Sequence, residues 1–239
     1  MSLTAELRAK LETVTTATLT TVLLKKGLRN TWIRGGLPLS QASKGKRVVG
    51  EAFTLRFIPA REDLATPASW GNPISTRAAI EAMPEGCIAV ADAMGVDDSG
   101  IFGDILCARM AYKGVLGLVT DGVIRDLAGV EMTGLPVWAK GTAAPSSITG
   151  LTFVGWSEPI ACGGVAVFPG DIVVADTDGA VVIPKDFLEA VVEAAVEQEE
   201  MEGWILEQAR NGAALPGLYP MNAEWKAKYD AYLAGKVTG

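Results

Sequence analysis

Residues 87–120 read CIAVADAMGVDDSGIFGDILCARMAYKGVLGLVT, and this stretch decides the fold class. Cys87 to Ala93 has the short, apolar character of a buried strand, followed by the polar loop Asp97-Asp98-Ser99-Gly100. A helix is predicted from Asp104 to about Lys113, then an apolar strand from Val115 to Thr120. The turn Asp121-Gly122 leads to Arg125-Asp126 and a brief helix, and Pro136 to Ala139 gives another strand. Alternation of strand, helix and strand predicts an α/β fold with at least partly parallel strands.

Working outward, the first thirty residues read as helix, with Leu7, Leu11, Val14, Leu19 and Leu23 at roughly helical spacing and Gly27 as its close. Residues 31–46 look irregular. Val48 to Ile58 reads as a strand, with Arg56 near its end, and Pro59 to Pro73, containing Arg61, Glu62 and Asp63, reads as a loop. Ser75 and Thr76 are suited to cap a short helix running to Met83. Later, Val165 to Phe168, Ile172 to Ala175 and Ala180 to Ile183 are expected as short strands. Asp178-Gly179 marks a hairpin, because glycine accepts the positive φ such a turn needs. Asp186 and Glu189 resemble a capping box opening a long helix to about Asn211 with an acidic, wetted face. Tyr219, Trp225, Tyr229 and Tyr232 give the tail enough aromatic area to dock. No repeat or linker stands out. Residues 1–211 are therefore expected to form one domain including the N-terminal helices, and 212–239 a docked C-terminal extension.

The 239 residues carry 21 basic and 28 acidic side chains, a net charge of −7, and the densest basic stretch, Lys44 to Arg47, is short. Such a surface repels a phosphate backbone, so nucleic acid is not the expected partner. The charged N-terminus lacks an apolar signal core, and no apolar stretch reaches bilayer length, so a cytoplasmic protein without membrane contact is expected. Cys87, Cys107 and Cys162 are odd in number and form no C-x-x-C pair, which suits buried thiols in a reducing compartment. There is no histidine. That removes Ser-His-Asp and Cys-His systems and His-ligated zinc, and any metal would have to be a hard cation on oxygen ligands.

Two patches can carry chemistry. The glycines of Asp98-Ser99-Gly100-Ile101-Phe102-Gly103-Asp104 precede a helix, where backbone N–H groups can receive an anion, although a simple helix start needs the same residues. Thr120-Asp121-Gly122-Val123-Ile124-Arg125-Asp126 follows a strand; Arg125 can grip a carboxylate and Asp126 can ligate a hard cation, or the two can balance one another as an ion-pair loop. No dinucleotide or P-loop fingerprint is present. Lys140 is a conceivable Schiff-base lysine but more ordinarily a salt-bridged strand end, and Trp138 and Trp204 read as packing residues.

From Leu19 to Asn211 the chain resembles the 4-hydroxy-4-methyl-2-oxoglutarate aldolases and the related regulator of ribonuclease activity A. Asp104 is separated from Arg125-Asp126 by twenty intervening residues, and the runs Gly114 to Asp126 and Cys162 to Gly179 match in order. The resemblance implies a single swivelling β/β/α-type α/β domain with a C-terminal helical extension. It implies trimers or hexamers with active sites between subunits. It also implies a lyase that uses Mg2+ or Mn2+ to cleave a 4-hydroxy-2-oxo acid by retro-aldol reaction, releasing pyruvate and able to decarboxylate oxaloacetate. The residue matching Asp126 is then the metal ligand. The one matching Arg125 holds the pyruvyl portion and stabilises enolate charge, and the one matching Asp104 positions a water. The backbone around Gly103, Asp104, Ile105 and Leu106 receives the substrate carboxylate, and an acidic residue from a neighbouring subunit, for which Glu199 and Glu200 are the candidates, assists. The same resemblance leaves a non-enzymatic regulator that binds a ribonuclease as the alternative.

Overall fold

The computed structural model describes residues 3–237. Helices α1 (Ala5–Glu12) and α2 (Thr16–Lys25) are separated by a break at Thr13 to Thr15, so the N-terminal helix is not continuous. Thr15 explains the break: its side chain caps α2 by accepting from the Thr18 N–H, an alternative to helix that threonine readily offers. Gly27 (φ +87°) ends α2 as expected, with the Leu28 N–H donating to the Leu23 carbonyl at 2.9 Å and the Gly27 N–H to Leu24 at 3.0 Å.

The remaining elements are β1 (Leu37–Pro38), β2 (Val48–Pro59), α3 (Thr76–Ala82), β3 (Cys87–Asp92), α4 (Asp104–Tyr112), β4 (Gly117–Thr120) and β5 (Val123–Ile124). They continue with α5 (Leu127–Thr133), β6 (Val137–Ala139), β7 (Gly141–Thr142), β8 (Leu151–Trp156), β9 (Ile172–Asp176), β10 (Gly179–Ile183), α6 (Leu188–Arg210) and α7 (Ala223–Val237). The main sheet runs β1-β6-β4-β3-β2-β9-β10, with β8 also on β2. Strands β2, β3, β4 and β6 are mutually parallel, as the alternation around residues 87–139 predicts; the other strands of this sheet pair antiparallel, and β5 and β7 form a separate parallel pair. The segment read as irregular closes the sheet: the Ile33 N–H donates to the Ala180 carbonyl and the Val182 N–H to the Thr31 carbonyl at one edge, while β1 pairs β6 at the other. The result is a mixed α/β fold around a nearly closed sheet.

Every residue of β3 is buried because the strand is covered on both faces. Ile88 and Val90 point into the enclosed core with Trp138, Val173 and Val182, and Ala89 and Ala91 into the layer beneath α3, α4 and α5. On the far side α1, α2 and α6 cover Val49, Val174 and Val181. The tail packs Tyr229, Trp225 and Tyr232 around Trp204 of α6, although Tyr219 stays exposed.

Two expectations fail locally. Val165 to Phe168 is no strand: Val165 and Val167 are buried, but only Val167 bridges, to Ile160, after a turn with Gly163 and Gly164 at positive φ. Apolar alternation there records burial without a ladder. Asp186 does not build a capping box either, since Phe187 occupies the N-cap with helical backbone and no side-chain cap. Asp171 instead ties its own loop to the turn leading into α6, accepting from the Lys185 and Phe168 N–H groups at 3.1 and 2.9 Å.

Candidate active site

Thr120, Gly122 and the short β5 bring the chain to Arg125 along a ribbon shared with Gly100 to Phe102: Ile101 donates to the Val123 carbonyl and Arg125 to the Phe102 carbonyl, both at 2.9 Å. The close pairing needs glycine at 100, where an added Cβ would sit 2.8 Å from the Arg125 Cβ and 2.9 Å from its nitrogen. The chain then turns sharply. Asp126 has φ 54° and ψ 42°, left-handed backbone, and α5 starts immediately after it. A side chain in this region costs about 1–2 kcal/mol for most L residues, with aspartate among the most tolerant. Such an outlier next to a cavity is the kind of strain that function retains.

The turn brings together all six residues singled out above. Gly103, Asp104, Ile105, Leu106, Arg125 and Asp126 line one cavity of about 310 Å3, the first four from the start of α4. Two glycines set its tightness: an added Cβ at Gly103 would lie 2.6 Å from Asp126 Oδ2, and one at Gly129 of α5 would lie 2.6 Å from Asp104 Cβ. Arg125 Nε donates to Asp126 Oδ2 at 2.9 Å, both side chains half-exposed, and Asp104 Oδ1 accepts from the Ile105 N–H at 2.7 Å. One of the two amides expected to meet a substrate carboxylate therefore already has a carboxylate partner in the same turn. Sequence reading missed Trp70, Thr76, Arg77, Ser146 and Ser147, which complete the lining. Trp70, a bulky aromatic inside a Pro- and Gly-containing loop, was the one available signal.

Other candidates have local employment. Lys140 donates to Asp97 Oδ2 at 2.9 Å and to the Gly95 carbonyl at 3.0 Å, holding the Asp97 carboxyl below its usual range through that hydrogen bond and its charge. Arg61 forks onto Asp63 at 2.8 and 2.7 Å. Glu199 accepts from the N–H and hydroxyl of Thr15 at 3.0 and 3.1 Å, and Glu200 from Lys236 at 2.9 Å. Asp121 is buried and accepts N–H bonds from Ala93, Gly95 and Gly163, tying the ends of β3 and β4 to the 161–164 turn. Burial pushes its carboxyl up and those N–H groups pull it back. The three thiols are buried and free, and burial pushes Cys87 up to about 11 and Cys107 to about 12, and holds Cys162 well above the ordinary thiol value.

Among the described residues no group of three or more His, Cys, Asp or Glu side chains is placed to hold a metal. Asp126 and Asp104 nonetheless share one cavity. One or two carboxylates completed by waters is the donor set that magnesium commonly takes, so the residues fit a hard cation and not zinc.

The RraA-like family model, described as Aldolase/RraA, matches residues 16–182, and the chain belongs to this family. A Halalkalibacterium halodurans protein provisionally named 4-hydroxy-4-methyl-2-oxoglutarate aldolase is 35% identical over 158 residues, 66% of this chain and 69% of that one. Protein DlpA of Legionella pneumophila is 30% identical over 188 residues, 74% of this chain; the match spans only 30% of DlpA's length. The crystal structure of Streptomyces coelicolor RraAS2, described as an unusual member of the RNase ES inhibitor RraA protein family, superposes with a TM-score of 0.75. It is 36% identical, with 85% of this chain and 97% of that chain covered. No described helix is long and apolar enough to cross a membrane.

Proposed function

We propose that this protein is a divalent-metal-dependent lyase that cleaves a 4-hydroxy-2-oxo acid by a retro-aldol reaction to release pyruvate. The observation that carries the reading is the convergence of Asp104, Arg125 and Asp126 on one cavity at the start of α4, with Asp126 held in left-handed backbone.

Asp126 is the residue to hold Mg2+ or Mn2+: with Oδ2 on Arg125, its other oxygen remains for a cation. A cation bound there would polarise the 2-oxo group. Arg125 places its guanidinium where negative charge develops on the former ketone oxygen, and stabilises that charge more than it stabilises the neutral ground state. The substrate carboxylate takes the Ile105 and Leu106 end of α4, displacing the Asp104 carboxylate from the Ile105 N–H. Asp104, released, accepts the 4-hydroxyl proton through a water. The C3–C4 bond then breaks, its electron pair enters the enolate, and protonation at C3 gives pyruvate. The same electron flow, with carbon dioxide as the departing fragment, accounts for oxaloacetate decarboxylation. Because the cavity is open to solvent at Asp126 and Arg125, a neighbouring copy in a trimer or hexamer would complete it.

Pyruvate release from a panel of 4-hydroxy-2-oxo acids should require Mg2+ or Mn2+, and R125A should lower kcat/KM by about 100-fold or more, the typical loss of one charge-stabilising donor. Full activity of folded R125A and D126A would sink the proposal. The likeness to RraAS2 favours a second reading, a protein-binding regulator of a ribonuclease; saturable binding of a ribonuclease E-type enzyme at physiological salt would support it, and absence of a complex would remove it.

A further inference from the structure

The cavity around Asp104, Arg125 and Asp126 carries a second guanidinium, and it is uncommitted. Arg77 lines it from the first turn of α3, two residues after the Ser75 cap, and its guanidinium lies over the Trp70 ring at 4.9 Å from the centroid. Arg125 is paired with Asp126, and Asp104 is occupied by the Ile105 N–H. Among the described residues, by contrast, the Arg77 side chain has no ion pair and no hydrogen bond, only the face of Trp70. Its position does not serve the helix, since a cation in the first turn opposes the helix dipole. What Trp70 supplies is orientation: a guanidinium stacked on an indole keeps its planar fork free for a carboxylate, with less freedom to lose on binding.

The alternative occupant of this side of the site is apolar. A second hollow of about 260 Å3, walled by Leu64, Ile74 and Phe153, shares Trp70, Thr76 and Ser147 with the first cavity. Trp70 therefore stands between a charged and an apolar destination for the far end of a substrate, and Arg77 is on the charged side.

We infer that Arg77, steadied by Trp70, is a specificity-determining residue that takes a carboxylate on the fragment leaving as the carbonyl product. This rests on the aldolase reading, in which Arg125 and the start of α4 account for the pyruvyl half and leave the unpaired cation to the other half. Longer neutral 2-oxo acids are then the poorer ligands.

Calorimetric titration of the full chain with Mg2+ present, using 2-oxoglutarate and 2-oxopentanoate, tests this without turnover. The two probes differ only in whether the fifth carbon is a carboxylate or a methyl group. Wild type should bind 2-oxoglutarate at least about tenfold more tightly, as expected when one charge-assisted contact is gained. In R77M that ratio should fall to near one, and R77K should recover part of it, a pattern a merely structural role would not produce. Equal affinities in wild type, a preference for 2-oxopentanoate, or an unchanged ratio in R77M would each overturn the role of Arg77 while leaving the pyruvyl site standing. Failure of wild type to bind either probe would overturn the aldolase reading and Arg77 with it.

Discussion

Replacing Asp126 separates what its backbone costs from what its carboxylate does. D126G and D126A both remove the carboxylate and the 2.9 Å contact with Arg125, so that loss cancels between them. They differ only by a Cβ at φ 54°. Holding that Cβ in left-handed backbone costs about 1–2 kcal/mol, while alanine recovers about 0.4–1 kcal/mol by restricting the unfolded chain. Taking the middle of each range, the balance is about 0.8 kcal/mol in favour of D126G, or roughly 2–3 °C in Tm for a chain of this size. Urea unfolding followed by circular dichroism measures the difference, and pyruvate release should be lost in both variants. D126N, with a residue that also tolerates this conformation, should keep wild-type stability and lose activity. If D126A proved as stable as D126G, the left-handed turn would not be a property of the folded chain. The case for a strained residue kept for chemistry would then fall.

Two further outcomes follow from burial and packing. G103A should lower pyruvate release sharply, because its new Cβ meets Asp126 Oδ2 at 2.6 Å, whereas G203A in α6, with nothing within 4 Å, should leave activity intact and gain about 0.5–1 kcal/mol of stability. For the thiols the sign is set by burial: folded Cys87 and Cys107 stay protonated to about 11 and 12, above an unfolded thiol, so the stability they contribute is complete below about pH 8.5 and is lost as pH rises through those values. Unfolding midpoints should fall above pH 9, and a thiol-labelling reagent at pH 8 should modify none of the three until the chain unfolds; labelling of the native protein would contradict the burial.

The sheet was legible where one segment carries its own signal. Residues 87–139 announce parallel strands through buried apolar runs and intervening helix, and Asp178-Gly179 announces the hairpin of β9 and β10, whose ladder joins Asp176 to Gly179. Closure of the sheet was not legible. Thr31 to Pro38 contains Pro, Gly and Arg in no strand pattern, and becomes a seam only because two distant edges, β10 and β6, present free hydrogen-bonding groups to it. The strand β8 was hidden for a related reason: it pairs with the second half of β2 after a register shift between Arg56 and Phe57, a partnership no local pattern encodes. At the candidate site the acid-arginine-acid set was visible as residues in a spacing. The left-handed backbone of Asp126 and the arrival of Trp70 and Arg77 from β2's following loop and α3 are tertiary facts.

That difference bears on how the site can work. In the chain alone, Asp126 is satisfied by Arg125 and Asp104 by the first turn of its own helix, so folding leaves neither charge stranded. Half-exposed pairs of this kind contribute only about 0–1 kcal/mol, so exchanging them for a cation and a substrate carboxylate costs little. The close-packed part is the backbone: Gly100 and Gly129 admit no Cβ beside the Cβ atoms of Arg125 and Asp104, while Gly103 leaves the room that the Asp126 Oδ2 tip occupies. Side-chain tips are thus free to change partners while their roots stay fixed, and that combination is what differential binding of a transition state requires. Arg77 reverses the pattern, its guanidinium unpaired and its support an aromatic face, and so it responds to the substrate's charge without first giving up a partner.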